Sequence, residues 1–243
     1  MKPFKIIELD TVDSTNNYLK KMAKSGAENF TVVISKSQSS GKGTHKRSFI
    51  SKEGGVYLSI LLETNLRDFN ATLITPMTAV AVSDSITQIS GKNPMIKWVN
   101  DIYLENKKVC GILCESIVST KTGKRYIIVG IGVNLFKPSP DFDEEIREIA
   151  GSIFENFDKN IKNQFIYDLL EKFYFYYENL QEKSFLEKYR TDNFILGKKI
   201  KFSIEGRLYT ATALEIDDDC RLVVELSDKS KITLTSCDIF LDL

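Results

Sequence analysis

The sequence is short of the residues that most directly announce chemistry. Its 243 residues include one histidine and four cysteines, and no two cysteines form a CxxC pair. One histidine cannot complete a multi-histidine zinc site, so no residue is assigned to a metal. Cys110, Cys114, Cys220 and Cys237 are scattered and mostly flanked by apolar residues, which suits structural thiols of a reduced, cytoplasmic chain. A triad using His45 would have to stand on a polar, basic loop, which disfavours histidine-dependent acyl transfer. Neither sign of charge is in excess, with 33 basic against 33 acidic residues, and that argues against a bulk nucleic-acid binder. Long apolar runs are missing too. The best, from Ala71 to Ser83, is short and rich in threonine, well under the ~18–20 apolar residues of a membrane span. Charges at Lys2, Lys5 and Glu8 come too early for a signal-peptide core.

What is present describes a globule. Hydrophobic residues make up 42% of the chain, which excludes general disorder, and the length fits one large domain or a medium one plus a small one. A helix is expected within Thr11 to Ser25, capped by Asp13 or Ser14, with Tyr18, Leu19, Met22 and Ala23 on one stripe. Strands are expected at Thr31–Ser35 and Val56–Leu62, separated by a long polar stretch of a kind that is often functional. A second helix should run from Pro76 to Ser90. Four strands follow: Met95–Trp98, Ile102–Leu104, Val109–Ser116 and Tyr126–Val133. Helices are expected over Ile146–Phe154 and Phe165–Leu180. After Leu196-Gly197, short alternating strands indicate a small β-barrel appended to an α+β domain.

Three features carry candidate chemistry. The loop from Lys36 to Lys52 holds Lys36, Lys42, Lys46, Arg47 and Lys52 without an acidic residue, and Gly41 and Gly43 flank Lys42. Such a loop can aim N–H groups at an anion, although it lacks P-loop spacing. Next, Lys97-Trp98-Val99-Asn100-Asp101 reads as a strand ending in an amide and a carboxylate, and a hairpin can return Lys108 towards Asp101. Finally, Gly130-Ile131-Gly132-Val133-Asn134 leaves one strand face bare, open to a flat ring or a neighbouring backbone. No helix follows in the dinucleotide-binding manner.

In this order the segments resemble the biotin protein ligases. The resemblance rests on Asp13-Ser14-Thr15-Asn16, on Gln38 to Phe49, on Lys97 to Leu104, on Lys108 to Glu115 and on Gly130 to Leu135. Leu196-Gly197-Lys198 and Leu214-Glu215-Ile216-Asp217 extend it into the tail. It implies an α+β catalytic domain with a mixed sheet over residues 1–190, then an SH3-like β domain over 191–243. The winged-helix form with a DNA-binding domain is not expected, because the Ser-Thr-Asn motif begins at residue 14. The implied activity is ATP-dependent formation of biotinyl-5′-AMP, with Mg2+ accompanying ATP, and transfer of biotin to a lysine of a carboxylase's biotin carrier domain. By the same resemblance Lys108 and Asp101 are catalytic. Ser14, Thr15, Asn16, Gln38, Gly111 and Leu113 contact biotin, and Gly41, Lys42, Gly43, Thr44, Arg47, Lys108 and Asn134 contact ATP or the adenylate. Neither nucleic acid nor membrane is expected as a partner, and a homodimer is compatible with the family.

The chain departs from the family's GRGRxGRxW loop, reading Gly-Lys-Gly-Thr-His-Lys-Arg-Ser-Phe over residues 41–49. Thr44 replaces an arginine that retains the adenylate, which predicts faster escape unless His45, Lys46 or Arg47 takes its place. Val99 replaces a common proline, and Cys220 and Cys237 stand where glycines are usual, so altered turns are expected there. Two other readings share some features: a lipoate or octanoate ligase, and a non-catalytic biotin or adenylate sensor.

Overall fold

The computed structural model describes residues 3–44, 47–64, 71–204 and 206–240. It opens with a strand, β1 (Lys5–Val12), where part of a helix was expected. The helix α1 (Thr15–Lys24) starts only after Ser14, which is extended at φ −159° and accepts a hydrogen bond from the Asn17 N–H. Thr11 and Val12 are instead paired with Ser37 and Gln38 of β2 (Thr31–Gln38). This pairing is parallel, and α1 is the crossover that makes it so.

Strands β3 (Val56–Thr64), β4 (Met95–Lys97), β5 (Asp101–Leu104), β6 (Lys107–Val118) and β7 (Arg125–Val133) complete a seven-stranded mixed sheet. Its order is β1-β2-β3-β7-β6-β5-β4. Helix α2 (Ile74–Ser90) begins two residues before the expected Pro76, which sits in the first turn where its missing N–H costs nothing. Gly91, at φ 67°, ends it by donating its N–H to Thr87.

Ile146–Phe154 was expected to be helical, yet only α3 (Glu144–Arg147) forms. The backbone beyond it is taken up by tertiary pairing: Gly151 N–H donates to Lys108, Ile153 N–H to Asn134 and Phe154 N–H to Leu135. Helix α4 (Lys159–Glu178) is capped by Asp158 and starts earlier than its apolar stripe suggested. Its Phe165, Leu169 and Phe173 pack with α2 against Leu58, Ile60, Val129 and Ile131 of the sheet. On the other face, α1 sets Leu19 and Ala23 against Val33, Leu61 and Ile128. Both faces are covered away from the glycines, so residues 32–34, 60–62 and 126–129 read as continuous apolar runs.

The short α5 (Leu186–Thr191), absent from the sequence reading, leads into a second, antiparallel sheet. It comprises β8 (Lys199–Ile204), β9 (Arg207–Ile216), β10 (Leu222–Leu226), β11 (Lys231–Leu234) and β12 (Ile239–Phe240), in the order β11-β10-β9-β8-β12. Phe202, Ala213, Leu222 and Val224 from this sheet join the main core. Among the described residues no helix is long and apolar enough to cross a membrane, and all four cysteines are free.

Trp98 ties the two sheets together. Its buried indole N–H donates to the carbonyl of Cys220 at 2.9 Å, and Asn193 Oδ1 accepts from its backbone N–H. Cys220 holds φ 60°, so the turn takes a left-handed conformation although glycine is lacking there. Trp98→Phe keeps the ring but orphans a buried carbonyl, and is expected to lower stability by about 1–3 kcal/mol in urea unfolding.

Candidate active site

The site grows from a patch of missing side chains. In register, Gly132 lies between Tyr57 and Gly111, and Gly130 between Ser59 and Leu113, so the glycines of β6 and β7 share one face. Each absent Cβ is occupied by another residue. A Cβ on Gly130 would stand 2.2 Å from Asn16 Oδ1, and one on Gly132 would stand 2.7 Å from the Phe49 ring. At Gly111 the neighbours are Lys108 Nζ and Phe49, both at 3.2 Å. The expected flat ring therefore comes from the chain itself. Over this face opens a cavity of about 390 Å³, a size usual for small-molecule sites.

One wall is polar, and its protons are ordered. Ser59, fully buried, has its hydroxyl 2.6 Å from Asn16 Oδ1 and 2.8 Å from Thr15 Oγ1. The amide oxygen can only accept, so Ser59 gives its one hydrogen to Asn16, and the Thr15 hydroxyl donates within reach of both Ser59 Oγ and Gln38 Oε1, the latter 3.2 Å away. Both hydrogens on Asn16 Nδ2 are used, on Glu115 Oε2 and the Leu113 carbonyl. Gln38 Oε1 accepts from the Thr15 N–H, while Gln38 Nε2 donates one hydrogen to Ser51, which donates to Phe49 O. The valences left at the cavity are acceptors on Thr15 and Asn16 and a donor on Gln38. Ser14, which caps α1, also lines it.

Another part of the lining is cationic. Among the described lining residues Lys42, Arg47, Lys97 and Lys108 face only two carboxylates, Asp101 and Asp238. Lys108 Nζ lies 2.6 Å from Asp101 Oδ1, brought back by the β5–β6 hairpin through a bulge between Ile102 and Tyr103. The Asn-Asp pair does not end a strand as expected. β4 stops at Lys97, Asp101 begins β5, and Asn100 spends its amide on Ile112 O. Lys97, overlooked in the sequence, pairs with Asp101 across the ladder. Burial above all pulls its ammonium below the ordinary value, Asp101 opposing and Lys108 and Arg47 assisting.

The glycine loop is a folded-back ribbon, with bridges at Gln38–Ser51 and Lys42–Ser48. Gly41 does not line the cavity. It is buried at the ribbon's base, where a Cβ would stand 2.3 Å from Phe49 O, so its place is one of close packing. Lys42 Nζ donates to Asn17 at the start of α1. Arg47 faces the cavity, its guanidinium donating to Thr44 O, to Thr44 Oγ1 and to Asp238. Thr44 thus braces the arginine three residues on. His45 and Lys46 lie outside the described residues.

Asn134, buried, lines the cavity beyond Gly132. Phe142, Ile146 and Ile149 form an apolar stretch of wall that the sequence reading had placed partly in a helix and partly in no element. Their signal was weak, because the segment around α3 has no sustained period.

A mixed sheet with a glycine-floored cavity, a basic ribbon and a second small sheet matches a known class, and the chain belongs to the Biotin/lipoate A/B protein ligase family, whose model matches residues 8–134. The model of the Biotin protein ligase C terminal domain matches residues 195–242. The chain is 30% identical over 241 residues to the bifunctional ligase/repressor BirA of Bacillus subtilis, covering 96% of this chain and 73% of that protein. It is 23% identical over 238 residues to the biotin–[acetyl-CoA-carboxylase] ligase of Mycobacterium tuberculosis, covering 93% and 86%. Among solved structures it resembles the biotin protein ligase of Aquifex aeolicus in complex with biotin and ATP, with a TM-score of 0.77, 26% identity and 97% of each chain covered.

Gly130→Ala forces a Cβ onto Asn16, whose amide cannot turn without losing its partners, and is expected to cost about 1–3 kcal/mol in thermal unfolding. Gly43→Ala, where the nearest atom is 3.4 Å away, should unfold close to the wild-type temperature.

Proposed function

We propose that this chain is an ATP-dependent biotin protein ligase. It condenses biotin with ATP to biotinyl-5′-AMP and pyrophosphate, then passes the biotinyl group to a lysine of a biotin carboxyl carrier domain. The observation that carries this reading is the proton order of the polar wall. Two acceptors and a donor complement a cyclic urea, which offers two N–H groups and one carbonyl. The dithiolane of lipoate offers none, and would leave those buried groups unpaired at about 1–3 kcal/mol each. Octanoate fails for the same reason.

With the ureido ring on Thr15, Asn16 and Gln38, and Ser14 and Leu113 beside it, the valeryl chain runs over Gly111 towards the cations. There the biotin carboxylate attacks the α-phosphate and pyrophosphate leaves. Bringing two anions together requires positive charge already in place, and Lys108, Lys97, Lys42 and Arg47 meet that need. Lys108 is assigned to the carboxylate and α-phosphate, and Gly43, Thr44, Arg47 and Asn134 to the nucleotide, with Phe142, Ile146 and Ile149 as an apolar wall for its base. In the second step the carrier amine attacks the acyl carbon, AMP departs, and Asp101 assists the incoming lysine. No group of three or more potential metal ligands occurs among the described residues, and Lys108 and Arg47 already engage the two cavity carboxylates. Magnesium therefore enters as MgATP, held by phosphates. Residues 1–190 form the catalytic unit in this reading, and 191–243 an SH3-like unit that lends Asp238 to the rim. An intact Lys108–Asp101 pair favours catalysis over mere sensing.

Lys108→Met should reduce biotin-dependent exchange of labelled pyrophosphate into ATP by about a hundredfold or more while the chain stays folded. Asp101→Asn should slow transfer from preformed biotinyl-AMP by ~10²–10⁴-fold, more than it slows adenylate synthesis. Equal losses in both half-reactions would remove Asp101 from the transfer step.

Arg47 is assigned the adenylate contact that the family gives to the arginine replaced by Thr44. Arg47→Ala should speed dissociation of biotinyl-AMP by about tenfold to a hundredfold, because a charge-assisted hydrogen bond is lost. Thr44→Arg should leave that rate near wild type, and markedly slower release would return the role to position 44.

A further inference from the structure

Glu115 closes the segment that begins at Lys108, and the reaction as described gives it no task. It lies two residues past Leu113 on β6, on the glycine-bearing face, with its side chain one-quarter exposed. Oε2 accepts from Asn16 Nδ2 at 2.8 Å, and Oε1 accepts from the ammonium of Lys20, one turn further along α1. Burial works to raise its carboxyl. Hydrogen bonds from Lys20 and Asn16, with the charges of Lys20 and Lys42, outweigh that and hold it below the usual value.

The consequence falls on Asn16. An asparagine amide can present either its oxygen or its nitrogen to a ligand, and rotation by half a turn exchanges the two. Here the reversed orientation would set Oδ1 against the Glu115 carboxylate and the Leu113 carbonyl, three acceptors with no hydrogen among them. Ser59 does not decide between the two, because with the amide turned its hydroxyl still finds an acceptor in Thr15 Oγ1, 2.8 Å away. Only one orientation survives, and it presents an acceptor.

We propose that Glu115, held by Lys20, is a positioning residue that fixes Asn16 as a hydrogen-bond acceptor and so sets the cavity's preference for a ligand N–H at that point. This rests on the reading of the cavity as a biotin site. Leu113 O alone cannot impose the orientation, because one carbonyl tolerates a turned amide that still satisfies Ser59 through its remaining partners.

The test compares wild type, Glu115→Leu, Lys20→Met and Glu115→Gln in the Lys20→Met background. Biotin binding is measured by titration calorimetry without ATP, and KM for biotin and for ATP by pyrophosphate exchange. Glu115→Leu should weaken biotin binding and raise its KM by about tenfold to a hundredfold, with KM for ATP and kcat at saturating biotin little changed. Glu115→Gln, made in the Lys20→Met background so that no ammonium claims its single oxygen, keeps an acceptor for Asn16 and should bind biotin about as well as Lys20→Met alone. Lys20→Met should weaken biotin severalfold in the same direction, and decides the matter if Glu115→Leu does not fold. Wild type that bound no biotin would overturn the functional reading and this role together. Wild type that bound biotin beside a Glu115→Leu variant or, failing its folding, a Lys20→Met variant of unchanged affinity would overturn the positioning role alone. Glu115→Gln in the Lys20→Met background as impaired as Glu115→Leu would also overturn it, since charge and not the acceptor would then be the operative property. A rise in the ATP KM matching that for biotin would mark a merely structural residue.

Discussion

The bareness of one sheet face governs this molecule. Gly111, Gly130 and Gly132 sit side by side on β6 and β7, and each missing Cβ is the seat of a working side chain. Strand glycines weaken a sheet by exposing backbone and offering nothing to pack. Here the cost is offset because the space is filled at once by Asn16 and Phe49, and by Lys108 alongside. Polar wall, cationic side and ring cover are thus held at van der Waals distance from rigid strands, whose ladder hydrogen bonds fix their positions. A site of this kind needs little from loops beyond the ribbon that carries Phe49 and Arg47.

From that floor the division of labour follows. Helix α1 reaches the site through its first turn, where Ser14, Thr15 and Asn16 meet the strands, while Leu19 and Ala23 anchor the rest of the helix in the core. Polar groups there are nearly all buried and hydrogen-bonded to one another. A network of that sort is costly if any member lacks a partner, and for that reason it reads ligand valence closely. The cationic end works differently. Its charges are partly exposed, and burial pulls Lys97 below the ordinary lysine value, so an anion placed among them would favour the ammonium form.

Much of this was legible in the sequence because it depends on short-range pattern. Lys108 returns to Asp101 through a hairpin, and Asn106 at its turn, at φ 65°, is readable from residue type. The alternating glycines also announced a bare face. Other features depend on distant partners and left no local mark. Residues 5–12 form an edge strand only because β2 accepts them, and 148–154 lose helix because Lys108, Asn134 and Leu135 claim their backbone. Asn100 looked like a ligand group but spends its amide on Ile112, twelve residues away. Lys97 looked like an ordinary strand residue until the β4–β5 ladder set it beside Asp101. Gly41 belonged to a motif whose letters suggest anion binding, yet packing against Phe49 O explains it.

The second sheet takes part in the same site through two contacts of different character. The Trp98 indole bond to Cys220 O is buried and neutral, and breaking it leaves a carbonyl stranded. The Arg47–Asp238 pair lies at the rim, with the arginine side chain 58% exposed, so in water it adds at most about 1 kcal/mol. Such a pair is too weak to trap the guanidinium and strong enough to keep it pointed at the cavity, helped by two bonds to Thr44. In the proposed reaction a phosphate would compete with a single partly screened carboxylate, and the exchange would cost little. The threonine that departs from the family's loop pattern is the support of an arginine whose other partner, Asp238, comes from the second sheet's unit.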